Sequence, residues 1–188
     1  MKPIDGSPFG DEIAEHSQND VTQMIQKAAS VANELAKLSP TEHAKLLRSI
    51  GVHIESAREQ LVATACAETA LAEGRIGGEI TRTTVQFNRF AEMVETGEHL
   101  KVVIDKANPD YSPAPRPDIR KLNQPLGVVA IFAASNFPLA FSVAGGDAAS
   151  AIAAGGRAHA QRQTRPVRRA EPPAQRTCRP RRLPSAPA

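Results

Sequence analysis

The segment Ser-Asn-Phe-Pro at residues 135–138 carries the side chains best suited to chemistry, because it directly follows an apolar run typical of a buried strand. Ligands of α/β proteins bind at the carboxyl ends of such strands. The carboxamide of Asn136 is an uncharged donor, so it can stabilise a developing negative charge without titrating. The alternative is that Asn136 only caps a helix starting at Phe137 or Pro138, and spacing alone favours that alternative.

The other potentially reactive side chains favour structural interpretations. Cys66 lies on the apolar side of a predicted helix, so we interpret it as a small core residue. His43 and His53 have no acidic or cysteine partners at ligand spacing, which predicts surface or helix-edge histidines and no metal site. A solvated helix face is predicted for three closely spaced acids, Glu92, Glu95 and Glu98.

The apolar spacing before this segment predicts a series of helices. The first begins at an Asx cap at residues 19–20 and continues to Leu38. The second begins with a capping box, in which Ser39 is the N-cap, Pro40 the first helical residue and Glu42 the third. The remaining predicted elements are a helix stopping at Gly74, a helix over 79–97, strands over 101–105, 118–126 and 127–132, and a helix over 139–154 that includes Gly145 and Gly146.

The change from helical hairpins to strand–turn–helix predicts an α/β fold. Residues 123–146 contain no charged side chain, a length that a membrane span would also need. Ser135, Asn136 and Pro138 in the middle of this stretch favour a buried strand and helix over that alternative. Two cysteines and an amino terminus without an apolar run favour a cytoplasmic protein without a disulfide framework.

Two stretches resemble the aldehyde dehydrogenase superfamily: Pro-Leu-Gly-Val-Val at residues 125–129, and Ala-Ser-Asn-Phe-Pro-Leu-Ala-Phe-Ser-Val-Ala-Gly-Gly-Asp at residues 134–147. The second is similar to the 2,5-dioxovalerate (α-ketoglutarate semialdehyde) dehydrogenase branch, and residues 115–120 and 67–69 agree with it. The likeness covers roughly residues 21–155. It implies N-terminal helices, a strand pair from the family's oligomerisation arm, and the first strand–turn–helix of an incomplete cofactor-binding domain.

The resemblance also implies a mechanism. In this family a cysteine thiolate attacks the aldehyde, hydride passes to NAD or NADP, and a glutamate-activated water releases the carboxylate. Asn136 matches the residue whose side-chain amide donates to the alkoxide. Ala133, Ala134 and Ser135 match residues that line the cofactor. A small aldehyde as substrate, a homo-oligomer and no membrane partner are the further expectations.

Residues 157–188 differ sharply from the rest of the chain. They hold nine Arg, no Lys and one acid, for a net charge of +8, whereas residues 1–156 carry −5. With six prolines and no aromatic residue, the segment cannot bury enough apolar area to offset its ordering entropy. We therefore predict two units: residues 1–156, a partial aldehyde dehydrogenase domain, and residues 157–188, a disordered tail produced by a frameshift near Gly156.

The break has a chemical consequence. The family's nucleophilic cysteine, general-base glutamate and ribose-contacting lysine have no counterpart here, and Cys178 lacks any matching context. The isolated chain is therefore expected to be inactive and to bind the cofactor poorly. The alternative function is nucleic-acid binding through the Arg-rich tail, but no recognition motif accompanies the arginines and aromatic residues are scarce, so a nucleic-acid partner is not favoured.

Overall fold

The computed structural model of the protein describes residues 2–10, 14–155 and 157–161. The helices in this part of the chain are α1 (Gln18–Ser30), α2 (Ala32–Leu35), α3 (Pro40–Ser56), α4 (Arg58–Thr69), α5 (Glu73–Thr96) and α6 (Gly146–Ala153), with a 3-10 turn at Glu98–Leu100. The strands are β1 (Val103–Asp105), β2 (Ile119–Lys121), β3 (Val128–Phe132) and β4 (Arg157–Gln161). Helices and a parallel strand pair together bear out the predicted α/β class.

The first two long helices both begin with capping boxes. At α3 the prediction is confirmed, because the Glu42 carboxylate accepts the Ser39 N–H at 2.9 Å while the Ser39 hydroxyl accepts the Glu42 N–H at 3.3 Å. The hydrogen bonds from Ser39 hold the pKa of Glu42 below its usual value. At α1 the predicted Asx cap is wrong, since Ser17 is the N-cap and Asp20 is its N3 partner. This helix stops at Ser30 and does not continue to residue 38.

Of the two helix ends predicted at glycines, the one at Gly74 is wrong and the one at Gly97 is confirmed. Gly74 does not stop a helix, because α4 already ends at Thr69, where Ala70 adopts a φ of 57° and donates its N–H to the Cys66 carbonyl. Gly74 instead lies in the first turn of α5. The far end of α5 is as predicted, with Gly97 in the left-handed region at a φ of 74°.

Helix α5 is the central element of the core. Its buried residues Phe87 and Ala91 pack with Leu47 of α3 and Ala149 of α6 in one hydrophobic cluster. A second cluster joins α5 to α4, through the buried side chains Ile76, Ile80, Val62 and Ala65. Cys66 is half-buried against this second cluster, as a small core residue is expected to be.

The two described strand pairs have opposite senses. Strands β1 and β2 form an antiparallel hairpin in which Val103 faces Lys121 and Asp105 faces Ile119. Strands β3 and β4 are parallel, with Val128 beside Arg157, and α6 connects them as a β-α-β unit. No helix in the described part of the chain is both long enough and apolar enough to cross a membrane.

Strand β4 lies within the segment that the sequence predicts to be disordered. The prediction differs from the structure for Arg157–Gln161, because the main-chain groups of these five residues pair with β3 whatever their side chains are. Residues 162–188, including Cys178 and eight of the nine tail arginines, lie outside the described residues. Their disorder and the frameshift stay predictions.

The surface alternative of the surface or helix-edge position predicted for His43 is wrong, because only 7% of this residue is exposed. It lies in the first turn of α3, and its Nε2–H donates to the Ile152 carbonyl of α6 at 2.8 Å. Burial lowers the pKa of His43 from its ordinary value of 6.5; the Ile152 carbonyl acts in the opposite direction, and His99 adds to the lowering. The folded chain therefore favours the neutral ring. His53 is exposed, as predicted.

We expect the free energy of unfolding to fall as the pH is lowered through about 6.5, where His43 of the unfolded chain takes up a proton that the folded chain resists. Urea midpoints at about pH 7.5 and about pH 5.5 measure the effect. His43→Gln, which keeps a donor for Ile152, should lose this part of the pH dependence. His53→Gln on the same helix is the matched control, and an equal loss in both variants would contradict the assignment.

Candidate functional site

The candidate site is the turn that follows β3. Ala133 and Ala134 are half-buried directly after the strand, and Ser135 and Asn136 are exposed one step further along. The four residues predicted from the sequence therefore form one continuous segment at the carboxyl end of a parallel strand, where ligands of α/β sheets bind.

The helix after this turn starts later than the sequence predicts. Helix α6 begins at Gly146, and residues 133–145 form turns in place of the expected helix from residue 139. Gly145 is therefore the N-cap of α6 and does not lie within the helix. The interpretation of Asn136 as the cap of that helix is wrong, because the cap position is nine residues downstream.

A buried carboxylate holds the turn in place. Glu79 of α5 is only 6% exposed, and its Oε2 accepts the backbone N–H groups of Leu139 at 3.0 Å and Ala140 at 3.2 Å. Hydrogen bonds to a charged group contribute about 1.5–3 kcal/mol each, roughly twice a neutral bond. These two bonds give Leu139 and Ala140 an acceptor that a helix starting at residue 139 would not supply, because the first N–H groups of a helix have no partner within it.

Arg75 of α5, one turn earlier, holds the other end of the same segment. Its Nη2 donates to the Asn136 carbonyl at 2.7 Å, and its Nε lies 3.4 Å from Glu79 Oε1. The guanidinium also lies over the Phe137 ring, 5.1 Å from the ring centre. Neither Arg75 nor Glu79 is among the site residues predicted from the sequence, because their i, i+4 spacing indicates an ion pair only on a helix that starts at Glu73, whereas the predicted helix starts at residue 79.

Two more side chains of α5 contact the far part of the turn. The Thr83 hydroxyl donates to the Leu139 carbonyl at 2.9 Å, and Arg82 lies 4.8 Å from the centre of the Phe141 ring. Phe137 and Phe141 themselves stack edge to face with ring centres 5.4 Å apart. Since these contacts come from successive turns of one helix, α5 acts as a template for the whole turn.

Glycine is required where the turn meets α6. A Cβ on Gly145 would lie 2.5 Å from the Ala140 carbonyl oxygen and 2.8 Å from the Ser142 nitrogen, both backbone atoms. A Cβ on Gly146 would lie 2.7 Å from the Gln86 side chain of α5. Gly145 therefore lets the turn fold back tightly onto the start of α6, whereas at Gly146 the flexible end of Gln86 would have to move; neither role involves a phosphate loop.

The described residues around the turn include an apolar cavity and paired surface acids. An apolar cavity of about 220 Å³ lies among α3, α4, α5 and the turn, but none of the four predicted site residues lines it. No cluster of three His, Cys, Asp or Glu side chains within the described residues could hold a metal ion. Two of the acids predicted to form a solvated face are paired at the surface, Glu92 with Arg89 and Glu95 with Arg48.

Comparison with known families places this geometry in context. Residues 1–160 match the sequence profile of the aldehyde dehydrogenase family. The chain belongs to the aldehyde dehydrogenase family. The segment containing β3, the turn and Asn136 lies inside the matched range, so the resemblance stated from the sequence is confirmed.

Curated members of the family give a finer likeness. The chain is 42% identical over 154 residues to alpha-ketoglutaric semialdehyde dehydrogenase 2 of Azospirillum brasilense, covering 82% of this chain and 29% of that protein. It is 38% identical over 155 residues to alpha-ketoglutaric semialdehyde dehydrogenase of Acinetobacter baylyi, covering 82% and 30%. The chain thus spans about 30% of the length of the curated relatives it matches.

Solved structures agree on the fold. An aldehyde dehydrogenase from Brucella melitensis biovar abortus has a TM-score of 0.73 at 23% identity, covering 85% of this chain and 31% of that chain. An E. coli NADP dependent enzyme has a TM-score of 0.73 at 21% identity, with coverage of 85% and 31%. The arrangement of α3, α5, α6 and β3 is therefore that of an incomplete aldehyde dehydrogenase domain.

We expect Gly145→Ala to lower the free energy of unfolding by about 1–3 kcal/mol, because the new methyl group would overlap the Ala140 and Ser142 backbone. Gly78→Ala is the matched control. Gly78 is exposed in the middle of α5, and a Cβ there would meet no non-neighbouring atom within 4 Å. It should therefore raise stability by about 0.5–1 kcal/mol. Urea denaturation of both variants would measure the difference, and equal effects would contradict the packing role.

Proposed function

We propose that residues 1–156 supply part of the active site of an NAD(P)-dependent aldehyde dehydrogenase that oxidises α-ketoglutarate semialdehyde (2,5-dioxovalerate) to its carboxylate. The observation that supports this choice of substrate is the 38–42% identity to two relatives named for it. The chain's match to the family profile over residues 1–160 supports the reaction class.

In this proposal Asn136 is the oxyanion donor. Its carboxamide N–H₂ donates to the aldehyde oxygen, which gains negative charge when the cysteine thiolate attacks the carbonyl carbon. Because a carboxamide is neutral at all working pH values, the donor remains available whatever the protonation of its neighbours. The exposure of Asn136 beyond the end of β3 supports this role, since the side chain is free to meet a substrate.

Ala133, Ala134 and Ser135 are proposed to line the cofactor. Their small side chains at the end of β3 suit a strand end that a dinucleotide must approach closely, so the residues present fit the group. When bound, NAD or NADP accepts the hydride removed from the substrate. Two solved neighbours are described as complexes with NAP or NADP, which supports a nicotinamide cofactor.

Assembly of the intact enzyme into a homo-oligomer is part of the proposal. The β1–β2 hairpin supports it, because this hairpin and its flanks expose the apolar side chains Val102, Val103, Ile104, Ile119 and Leu122. A cytoplasmic setting stays a prediction from composition.

We expect the purified 188-residue chain to show no NAD(P) reduction with α-ketoglutarate semialdehyde. The physical reason is that the family's thiolate nucleophile and general-base glutamate have no counterpart in this sequence. The absorbance of NAD(P)H over time measures the rate, with the Azospirillum brasilense enzyme as a positive control. Turnover at an ordinary rate would contradict the expectation.

A chimera can test Asn136 in a complete enzyme. We would replace the matching segment of the Azospirillum brasilense enzyme with residues 1–156 of this chain, keeping the rest of that protein. Asn136→Ala in the chimera should lower kcat by about 10²–10³, the usual effect of removing one oxyanion donor. The KM for the aldehyde should change little, because the interaction forms mainly in the transition state.

Asn88→Ala is the matched control for this experiment, because Asn88 is an exposed amide on α5 outside the turn. It should leave kcat unchanged. Unchanged kcat in Asn136→Ala would overturn the role of Asn136. An inactive chimera whose cofactor binding and folding are intact would count against the proposed function of residues 1–156.

A further inference from the structure

We propose that Arg75 and Glu79 are positioning residues for the Asn136 amide: they act on the reaction by fixing the turn and do not touch the substrate. The inference rests on the proposed function of Asn136. It assigns a role to a buried acid and its arginine partner that the family mechanism stated above does not use.

The first step concerns what fixes the Asn136 carboxamide. Among the hydrogen bonds of the described residues, none involves this side-chain amide, so its position depends on the backbone that carries it. That backbone is outside any helix or strand. An oxyanion donor must nevertheless be preorganised, because a displacement of about 1 Å weakens its effect on the rate.

The second step is that one ion pair fixes both ends of the segment. Arg75 Nη2 holds the Asn136 carbonyl at 2.7 Å, while Glu79 Oε2 holds the Leu139 and Ala140 N–H groups at 3.0 Å and 3.2 Å. The link between the two side chains, Arg75 Nε to Glu79 Oε1, is 3.4 Å. The turn is therefore held as a unit against the rigid, long helix α5.

The third step separates positioning from stability. The side chain of Arg75 is 44% exposed, whereas Glu79 is buried and keeps the Leu139 and Ala140 N–H donors when Arg75 is removed. Removal of Arg75 should therefore lower the free energy of unfolding, but by less than removal of the buried carboxylate itself. Arg75 is thus the cleaner probe of positioning.

Hydrogen exchange in the full 188-residue chain tests the structural half. In Glu79→Gln, protection of the Leu139 and Ala140 amides should fall by about tenfold, because the charged acceptor is lost. Glu95→Gln is the matched control: Glu95 is on the same helix as Glu79, and its 2.6 Å ion pair is with Arg48 of α3, away from the turn. Unchanged protection in Glu79→Gln, or an equal fall in both variants, would overturn the proposal.

The catalytic half uses the chimera described above. Arg75→Met should lower kcat by about tenfold while the KM for α-ketoglutarate semialdehyde changes little, and its urea midpoint should fall by less than that of Glu79→Gln. Arg75→Lys should recover only part of the rate, because an ammonium lacks the forked donors that reach Asn136 and Glu79 together.

A double-mutant cycle distinguishes this inference from the proposed function. In an Asn136→Ala background, Arg75→Met should cause no further fall in kcat, because the group that it positions is gone. A full additional fall would overturn the positioning role while leaving the role of Asn136 intact. If Asn136→Ala itself has normal kcat, the proposed function of Asn136 fails first, and the positioning role fails with it.

Discussion

The arrangement of the described chain depends on the buried carboxylate of Glu79. A charge with 6% exposure is tolerated only where donors surround it, and the donors here are two backbone N–H groups of the turn and the Arg75 guanidinium. The dependence is mutual. Residues 139–140 lie outside a helix and need an acceptor for their N–H groups, so helix and turn each satisfy a requirement of the other.

Helix α5 contributes to both the core and the candidate site because different side chains along it face the hydrophobic clusters and the turn. Ile76, Ile80 and Phe87 point into the two hydrophobic clusters, whereas Arg75 and Glu79 meet the turn. Arg82 and Thr83 extend this second set along the helix. Both sets of side chains belong to one helix. The packing of α5 against α3 therefore also fixes the position of the turn relative to the core.

Features that depend on residues close together in the sequence were predicted correctly. The capping box of Ser39 and Glu42, the left-handed Gly97 and the apolar strand β3 were all readable, since each depends on residues within a few positions. Tertiary partners decided the rest. His43 is buried where the Ile152 carbonyl of α6, 109 residues away, accepts its ring N–H, and the N–H groups of Leu139 and Ala140 meet the Glu79 carboxylate, which is 60 and 61 residues away. Periodicity contains no information on such partners.

The site proposed at the end of β3 needs more of a protein around it than the described residues supply. Within the described chain β3 pairs with β4 alone, and its last residue, Phe132, is 66% exposed. Asn136 can direct one neutral donor at an oxyanion, but a donor accelerates a reaction only when a nucleophile and a hydride acceptor face the same carbon. The chain covers only 29% and 30% of its two curated relatives, so most of their length has no counterpart in it. The role proposed for Asn136 therefore requires the complete enzyme, whereas the contacts that hold its backbone already come from α5.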